Sequence, residues 1–462
     1  MSQADAVAAF AETRFDDTVA ELARYLTFPA ISCDPAHQGD VRRLADAIAK
    51  DLADLGFTNV RVLHLDGALP SVSAEWLTAG PSAPTILVYG HLDLQPVKGE
   101  PWDTDPHTAV IKGDRLYARG AADDMGGWVS HLAALRAWLA VAGGPPCNIK
   151  LFIEGEEEIG SPNLERYMDT FPDVFEADVM VLTDCENPAI DIPGLTVSLR
   201  GLVEYELACE AIASDIHSGL WGNIVPDVSV ALVTHLARLF DADGRFAFLR
   251  VEVPEAWRQA ARDIPLTPEV IRAGAHLLPD VEPLPECGHH HTEWIWRQPA
   301  CTIVSTTLPT PDRQKNALRA RASAVLSVRI APGQTRHDIR ACLEPLLLDR
   351  PTGGVRITLT ERPGGAEAWL YTPQGPAFAA ADRAYVKAWG RPLVQVGVGG
   401  SIPFVAMFGR RFSKLPLILN GVMDPETSAH GPNESLHLGI FRKAIAANVH
   451  LYDELARCDG LR

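Results

Sequence analysis

Residues 83–93 read APTILVYGHLD, an apolar, β-rich run that begins after proline and ends on His91 and Asp93. Consecutive apolar positions predict a strand covered on both faces rather than one with a wet side. Two further runs share this shape: PCNIKLFIEGEEEIG (146–160) ends in carboxylates, and ADVMVLTD (177–184) ends on Asp184. Between the first two lies Gly126–Ala142, GGWVSHLAALRAWLAVA, which predicts a buried helix closed by Gly143-Gly144. Strands separated by helix-length segments predict an α/β domain with a largely parallel sheet. Ligands collect at the carboxyl ends of such strands, and all three runs stop there on histidine or an acidic residue.

Working outward, the texture changes near residue 200. LVEYELACEAIA (202–213) and ALRARASAVLSVRIAP (317–332) carry period-2 stretches, while VALVTHLARLF (230–240) and ACLEPLLLDR (341–350) read as helices. Alternation resumes with PAFAAADRAYVKAWG (376–390) as helix, then PLVQVGVGG (392–400) and LPLILNGV (415–422) as strands and a last helix from about 434. The expected organisation is a first domain over 1–199, an inserted α+β domain over 200–374, and a return to the first domain over 375–462. The N-terminal MSQADAVAAFAETRFDDTVAELARYL reads as one amphipathic helix with Val7, Phe10, Val19, Leu22 and Leu26 among its apolar positions. It lacks the basic and apolar blocks of a leader peptide, and no apolar run approaches membrane-spanning length.

Of 462 residues, 59 are acidic and 41 basic, for a formal charge of −18. That sign repels phosphate backbones and anionic lipid, so neither nucleic acid nor membrane is expected as a partner. The eight cysteines (33, 147, 185, 209, 287, 301, 342, 458) are scattered with no CxxC pair, which points to reduced thiols in a cytoplasm and against a thiolate metal site. Any metal must be held by nitrogen and oxygen.

The candidates for that role lie at the strand ends. His91 and Asp93, two apart on a strand, share a face, and a ligating His commonly gives its other N–H to a carboxylate. In RGAADDMGG (119–127) small residues allow a tight turn around Asp123, although Asp123 or Asp124 would also serve as a helix N-cap. EGEEEIGS (154–161) places four carboxylates in five residues, which repel unless water or a cation neutralises them. A solvated acidic loop would account for Glu154 and Glu156; one neighbour as ligand and another as general base accounts for the rest. Asp184 ends the third strand, and His430 sits in a loop before the last helix. Two histidines and at least three carboxylates without cysteine suit zinc, and tolerate manganese or cobalt, in a hydrolytic site.

With these residues assembled, the chain resembles the M20 family of metallopeptidases, and looks most like its dipeptidase branch. The resemblance is carried by YGHLDLQP (89–96), PWDTDP (101–106), RLYARGAADDMG (115–126), EGEEEIGS (154–161), DIHSG (215–219), EWIWRQP (293–299), VRIAPG (328–333), GGSIP (399–403) and AHGPNE (429–434), in family order over nearly the whole chain. It implies a di-zinc catalytic domain with an inserted lid and dimerisation domain, and two Zn2+ per subunit. Asp123 would bridge the ions, with His91 and Asp184 on one and Glu158 and His430 on the other. Glu157 would be the general base and Asp93 would orient His91. His217 would reach the partner subunit's site and steady the oxyanion. Asn316, Arg329, Gly400 and Ser401 would hold the substrate's carboxylate and nearby oxygens, and the Asp123–Asp124 peptide would be cis.

The implied activity is hydrolysis of dipeptides or small peptides with a free C-terminal carboxylate, in a cytoplasmic homodimer whose lid closes over the substrate. A deacylase of N-acyl amino acids using the same ions is the alternative, and a scaffold that lost catalysis is a rival from another class. Two positions depart from the family pattern: Met125 stands where lysine is common, and Gly397-Val398 replace a frequent Arg-Glu. Neither is a ligand, but the second change would reshape the acyl side of the pocket. The run His289–His291 reads as an exposed cluster rather than a further metal site. Cys185 reads as a small buried residue, and Trp294 and Trp296 as packing residues on a strand.

Overall fold

The structure, a computed structural model, describes residues 2–264, 266–400, 403–412 and 415–461. At its centre is a six-stranded sheet in the order Thr58–Leu63, Ser71–Trp76, Asn148–Glu154, Thr85–His91, Val179–Leu182, Leu417–Leu419. The last four run parallel and Ser71–Trp76 runs against them. The expected mostly parallel α/β sheet is therefore present, and its last strand comes from the far end of the chain.

Alternate residues along these strands feed two separate cores. Ile86, Val88, Ile149, Leu151, Val179 and Val181 face a cluster built with the helices Gln3–Thr13, Met125–Ala142, Pro376–Trp389 and Leu438–Ala456. Leu87, Tyr89, Phe152, Met180 and Leu182 face a second cluster with Leu164–Thr170 and Pro172–Phe175. Both faces are dry, which is why the sequence runs read as unbroken apolar stretches.

Local chemistry sets the helix ends. Ser2 and Asp5 form a reciprocal capping box on the first helix. Gly143, left-handed at φ 78°, ends Met125–Ala142 where a side chain would be strained. The N-terminal segment is not one helix as expected: Gln3–Thr13 and Phe15–Tyr25 are separate, broken at Arg14 (φ −107°). The break lets Phe15 and Leu22 as well as Val7 reach the same core.

Residues 201–361 supply a four-stranded antiparallel sheet ordered Ala300–Thr306, Arg321–Ile330, Gly201–Glu210, Arg356–Glu361. The helices Val228–Ala237 and Arg336–Leu348 cover one face and enclose a core of their own. Gly194–Leu199, Trp369–Leu370 and Val394–Val398 form a small sheet where the chain passes between the two large sheets. The segment with Trp294 and Trp296 is a helix, His291–Arg297, and not the expected strand. Two tryptophans two apart cannot define a period, and Trp296 is buried edge-on to Trp257.

Candidate metal centre

His91 is the last residue of its strand, and its carboxyl-end neighbours bring the other strand-end acids beside it. Its Nε2 lies 3.1 Å from Asp123 Oδ1 and 3.9 Å from Asp184 Oδ2. The other oxygen of Asp123, Oδ2, is 3.1 Å from His430 Nε2, which is also 3.3 Å from Glu158 Oε2. Two groups of potential ligand atoms result, His91–Asp123–Asp184 and Asp123–Glu158–His430, each within a 4.8 Å span. They share Asp123, one oxygen to each. The Asp123–Asp124 peptide is cis.

A shell of buried polar contacts fixes this geometry. Asp93 accepts the backbone N–H groups of Glu157 (3.1 Å) and Glu158 (3.0 Å) with its two carboxylate oxygens. His91 Nδ1 is nearer the Asp93 carbonyl oxygen (3.1 Å) than its carboxylate (3.6 Å). Asp93 thus touches the histidine through its carbonyl and the Glu157–Glu158 turn through its carboxylate, whereas the sequence reading had paired the carboxylate with the histidine.

Asp124, fully buried, accepts from Thr183 Oγ1 at 2.6 Å and from the His91 N–H at 3.2 Å, and burial lifts its pKa to about 7. It stands at the N-cap of the following helix without capping it through its side chain. Close approach here requires glycine: a Cβ at Gly127 would lie 2.0 Å from Asp124 Oδ1.

Glu434 is a buried organiser to which the sequence reading gave no role. Its Oε1 accepts the N–H groups of Gly120, Ala122 and Asp123 at 3.1–3.2 Å, while Oε2 pairs with the buried Arg119 at 2.9 Å. Burial and the charge of Asp123 push its pKa up to about 7. Gln95 Nε2 likewise donates to Glu158 Oε2 at 2.7 Å. The available signal was positional, since Glu434 closes the AHGPNE block and Gln95 lies two residues beyond Asp93.

Glu154 and Glu156, which a solvated loop would have explained, are buried and bonded. Tyr89 donates to Glu154 at 2.5 Å, and Glu156 accepts from the Leu69 N–H and Asn163, both at 2.8 Å. They brace the turn that carries Glu157 and Glu158.

Electrostatically the centre is a concentration of negative charge. Burial pushes the Glu157 carboxyl well above the usual carboxylate range, with Glu158 and Asp93 adding and His91 opposing. Burial and the charge of Asp123 raise Glu158 and push Asp184 well above that range. His430 is raised to about 11 because its ring N–H donates to the Asp123 and Glu158 carboxylates. Asp123 is held low by its two histidine partners despite burial. Buried carboxylates that raise one another call for a cation. Nitrogen and oxygen donors in threes suit zinc, manganese or cobalt with positions left open for water. The residues present thus fit a pair of divalent ions. Asp123, Glu157, Asp184, Gly400 and His430 line a cavity of about 260 Å³ there.

The remaining expected residues lie elsewhere in the chain, apart from Gly400 in that cavity. Arg329 sits on Arg321–Ile330 opposite Leu202 and is lowered by burial; Arg200 is pushed down to about 10 by burial first and by the nearby Arg329 charge second. Arg200 in turn donates to the Gly399 carbonyl at 2.9 Å, tying that strand pair to the Gly399–Gly400 turn. His217 and Asn316 are exposed neighbours: the Asn316 carbonyl accepts the Ser218 N–H at 3.1 Å. They do not join either ligand group of their own chain. Ser401 lies outside the described residues. His289, His290 and His291 pair with Glu293 and Glu286, and among the described residues they form no metal-capable group. Cys185 is buried, as expected.

Comparison with known proteins agrees with this fold. The chain is 30% identical over 405 residues to a cysteinylglycine-S-conjugate dipeptidase of Corynebacterium striatum, covering 87% of each. It is 27% identical over 392 residues to the human Beta-Ala-His dipeptidase, covering 80% of this chain and 74% of that one. In fold it matches the solved structure of the di-peptidase Dug1p from Saccharomyces cerevisiae with a TM-score of 0.82 at 21% identity, over 99% of this chain and 100% of that one. Human carnosine dipeptidase 1 matches equally, with a TM-score of 0.82 at 23% identity, over 99% and 100% of the two chains. The model of peptidase family M20/M25/M40 matches residues 87–454, and the chain belongs to that family.

Proposed function

We propose that the chain is a di-zinc dipeptidase that hydrolyses the amide of a dipeptide or small peptide bearing a free C-terminal carboxylate. The observation that carries this reading is the pair of ligand groups joined through Asp123. Asp123 would hold both ions, with His91 and Asp184 completing the ligands of one and Glu158 and His430 those of the other. When bound, such ions polarise the scissile carbonyl and lower the pKa of water at neutral pH. Glu157 takes the proton of the attacking water and passes it to the leaving amine, a task suited to a carboxyl that burial has made more basic. Asp93 holds His91 and the Glu157–Glu158 turn. Arg329, with Gly400, receives the substrate carboxylate, an assignment supported by the preference of a guanidinium fork for that group.

The same reading makes residues 200–374 a lid and the assembly a homodimer. Leu220, Trp221, Ile224, Val230 and Val233 are exposed just beyond His217, and an apolar surface of that kind favours a partner. His217 and Asn316, exposed and outside their own chain's ligand groups, are then free to serve the partner's site. Eight unpaired cysteines fit a reducing, cytoplasmic setting.

That relatives are named as dipeptidases supports peptides rather than acylated amino acids as the substrates of this chain. The test is to strip the protein with a chelator, reload it with zinc, and compare Xaa-Gly dipeptides with N-acetyl and N-succinyl amino acids. Zinc-dependent turnover with dipeptides ahead is expected. Higher kcat/KM on the acylated compounds would replace this reading with the deacylase one.

A further inference from the structure

A second, larger chamber of about 800 Å³ opens beside the metal centre, between the segment 266–295 and the loop 423–429. Glu186, Met423 and Ala429 line both cavities, so the two adjoin across these residues. The volume lies in the range of small-molecule sites. Its walls are largely apolar, and Val270, Val281, Leu284 and Ile295 are left 39–46% exposed. Exposing four large aliphatic side chains in one concavity costs burial that a ligand can restore. Trp294 forms a rigid part of the wall: Arg245 and Arg250 lie over its ring at 4.4 and 5.1 Å, and its Nε1 donates to the Glu286 carbonyl at 2.7 Å.

We propose that this chamber receives a large apolar side chain on the N-terminal residue of the dipeptide, and so sets the substrate class of the enzyme. The inference rests on the dipeptidase reading of the adjoining site. Orientation follows from charge. Glu186 lines the junction, where its carboxyl oxygens can accept hydrogen bonds from an α-ammonium group. The carboxylate end is drawn instead toward the Arg200–Arg329 side, beyond Gly400. The side chain next to the chamber is therefore that of the residue with the free amine. Aromatic residues and S-alkylated or S-arylated cysteine match it in chemistry and size.

The experiment measures kcat/KM of the zinc-loaded enzyme on Ala-Gly, Phe-Gly, S-benzyl-Cys-Gly and Ala-Phe. Phe-Gly and S-benzyl-Cys-Gly should exceed Ala-Gly by about tenfold or more, the scale of a filled apolar pocket. Ala275→Trp, at an exposed position on the chamber wall, should lower the ratio of S-benzyl-Cys-Gly to Ala-Gly by about tenfold. Val270→Glu should do the same by charging the wall, and melting curves identify either variant that fails to fold. Unchanged ratios in both folded variants, or a loss confined to Ala-Phe, would overturn the chamber assignment while leaving the dipeptidase reading intact. Absence of turnover on every dipeptide would overturn both together.

Discussion

Asp93 holds Glu157 by its backbone: one Asp93 oxygen accepts the Glu157 N–H at 3.1 Å, and the other accepts that of Glu158 at 3.0 Å. The end of one strand thereby sets the turn at the end of the next. Asp93→Ala should release that turn and weaken the hold on His91. A fall of about 10–100-fold in zinc affinity or activity is expected, the usual scale for removing a partner of a metal ligand. Zinc competition against a fluorescent chelator measures it, and wild-type affinity with wild-type kcat/KM would contradict the role.

Glu157 belongs to neither ligand group. Glu157→Gln should therefore lower kcat by about 10²–10⁴-fold, the range of a general base, while bound zinc stays at the wild-type level. Atomic absorption alongside steady-state kinetics separates the two effects. Loss of metal in this variant would mean that Glu157 and a neighbouring carboxylate have exchanged roles.

Glu434 and Arg119 are a buried pair, and Glu434 also accepts three backbone N–H groups around Asp123. Glu434→Ala would leave the buried guanidinium with Glu100 as its one charged partner among the described residues, and those three donors without their acceptor, so a loss of about 3 kcal/mol is expected in denaturant unfolding. A loss below about 1 kcal/mol would show that water takes over the contacts.

His131 is buried on Met125–Ala142, 2.7 Å from the Tyr452 hydroxyl, and burial alone drives its pKa down from 6.5 to about 3. The folded state resists the proton that the unfolded chain accepts. Stability from this group is thus complete above about pH 6.5 and is lost as pH falls toward 3, by up to about 1.4 kcal/mol per pH unit. His131→Gln should remove one proton's worth of that slope relative to wild type. Parallel pH curves for the two proteins would contradict it.

Much of this architecture is legible in the sequence because physical demands there are local. Strands covered on both faces must be apolar throughout, so 83–91, 148–154 and 179–182 announce themselves, and their polar ends mark the site. Long-range relationships are not written that way. Nothing near Glu434 indicates that its carboxylate caps the turn 120–123, more than 300 residues earlier. Burial of Glu154 and Glu156 was equally hidden, since an acidic run looks the same whether water or Tyr89, Leu69 and Asn163 satisfy it. The helix His291–Arg297 eluded a period-2 reading because seven residues carry too few apolar positions to separate helix from strand.

The most direct test of the account is the zinc stoichiometry of chelator-stripped protein, titrated calorimetrically beside Asp123→Asn. Because both ligand groups contain Asp123, the wild type should bind about two ions per chain and the variant should lose high affinity at both positions. A variant that keeps one undiminished site, or a wild type that binds a single ion, would contradict the shared carboxylate.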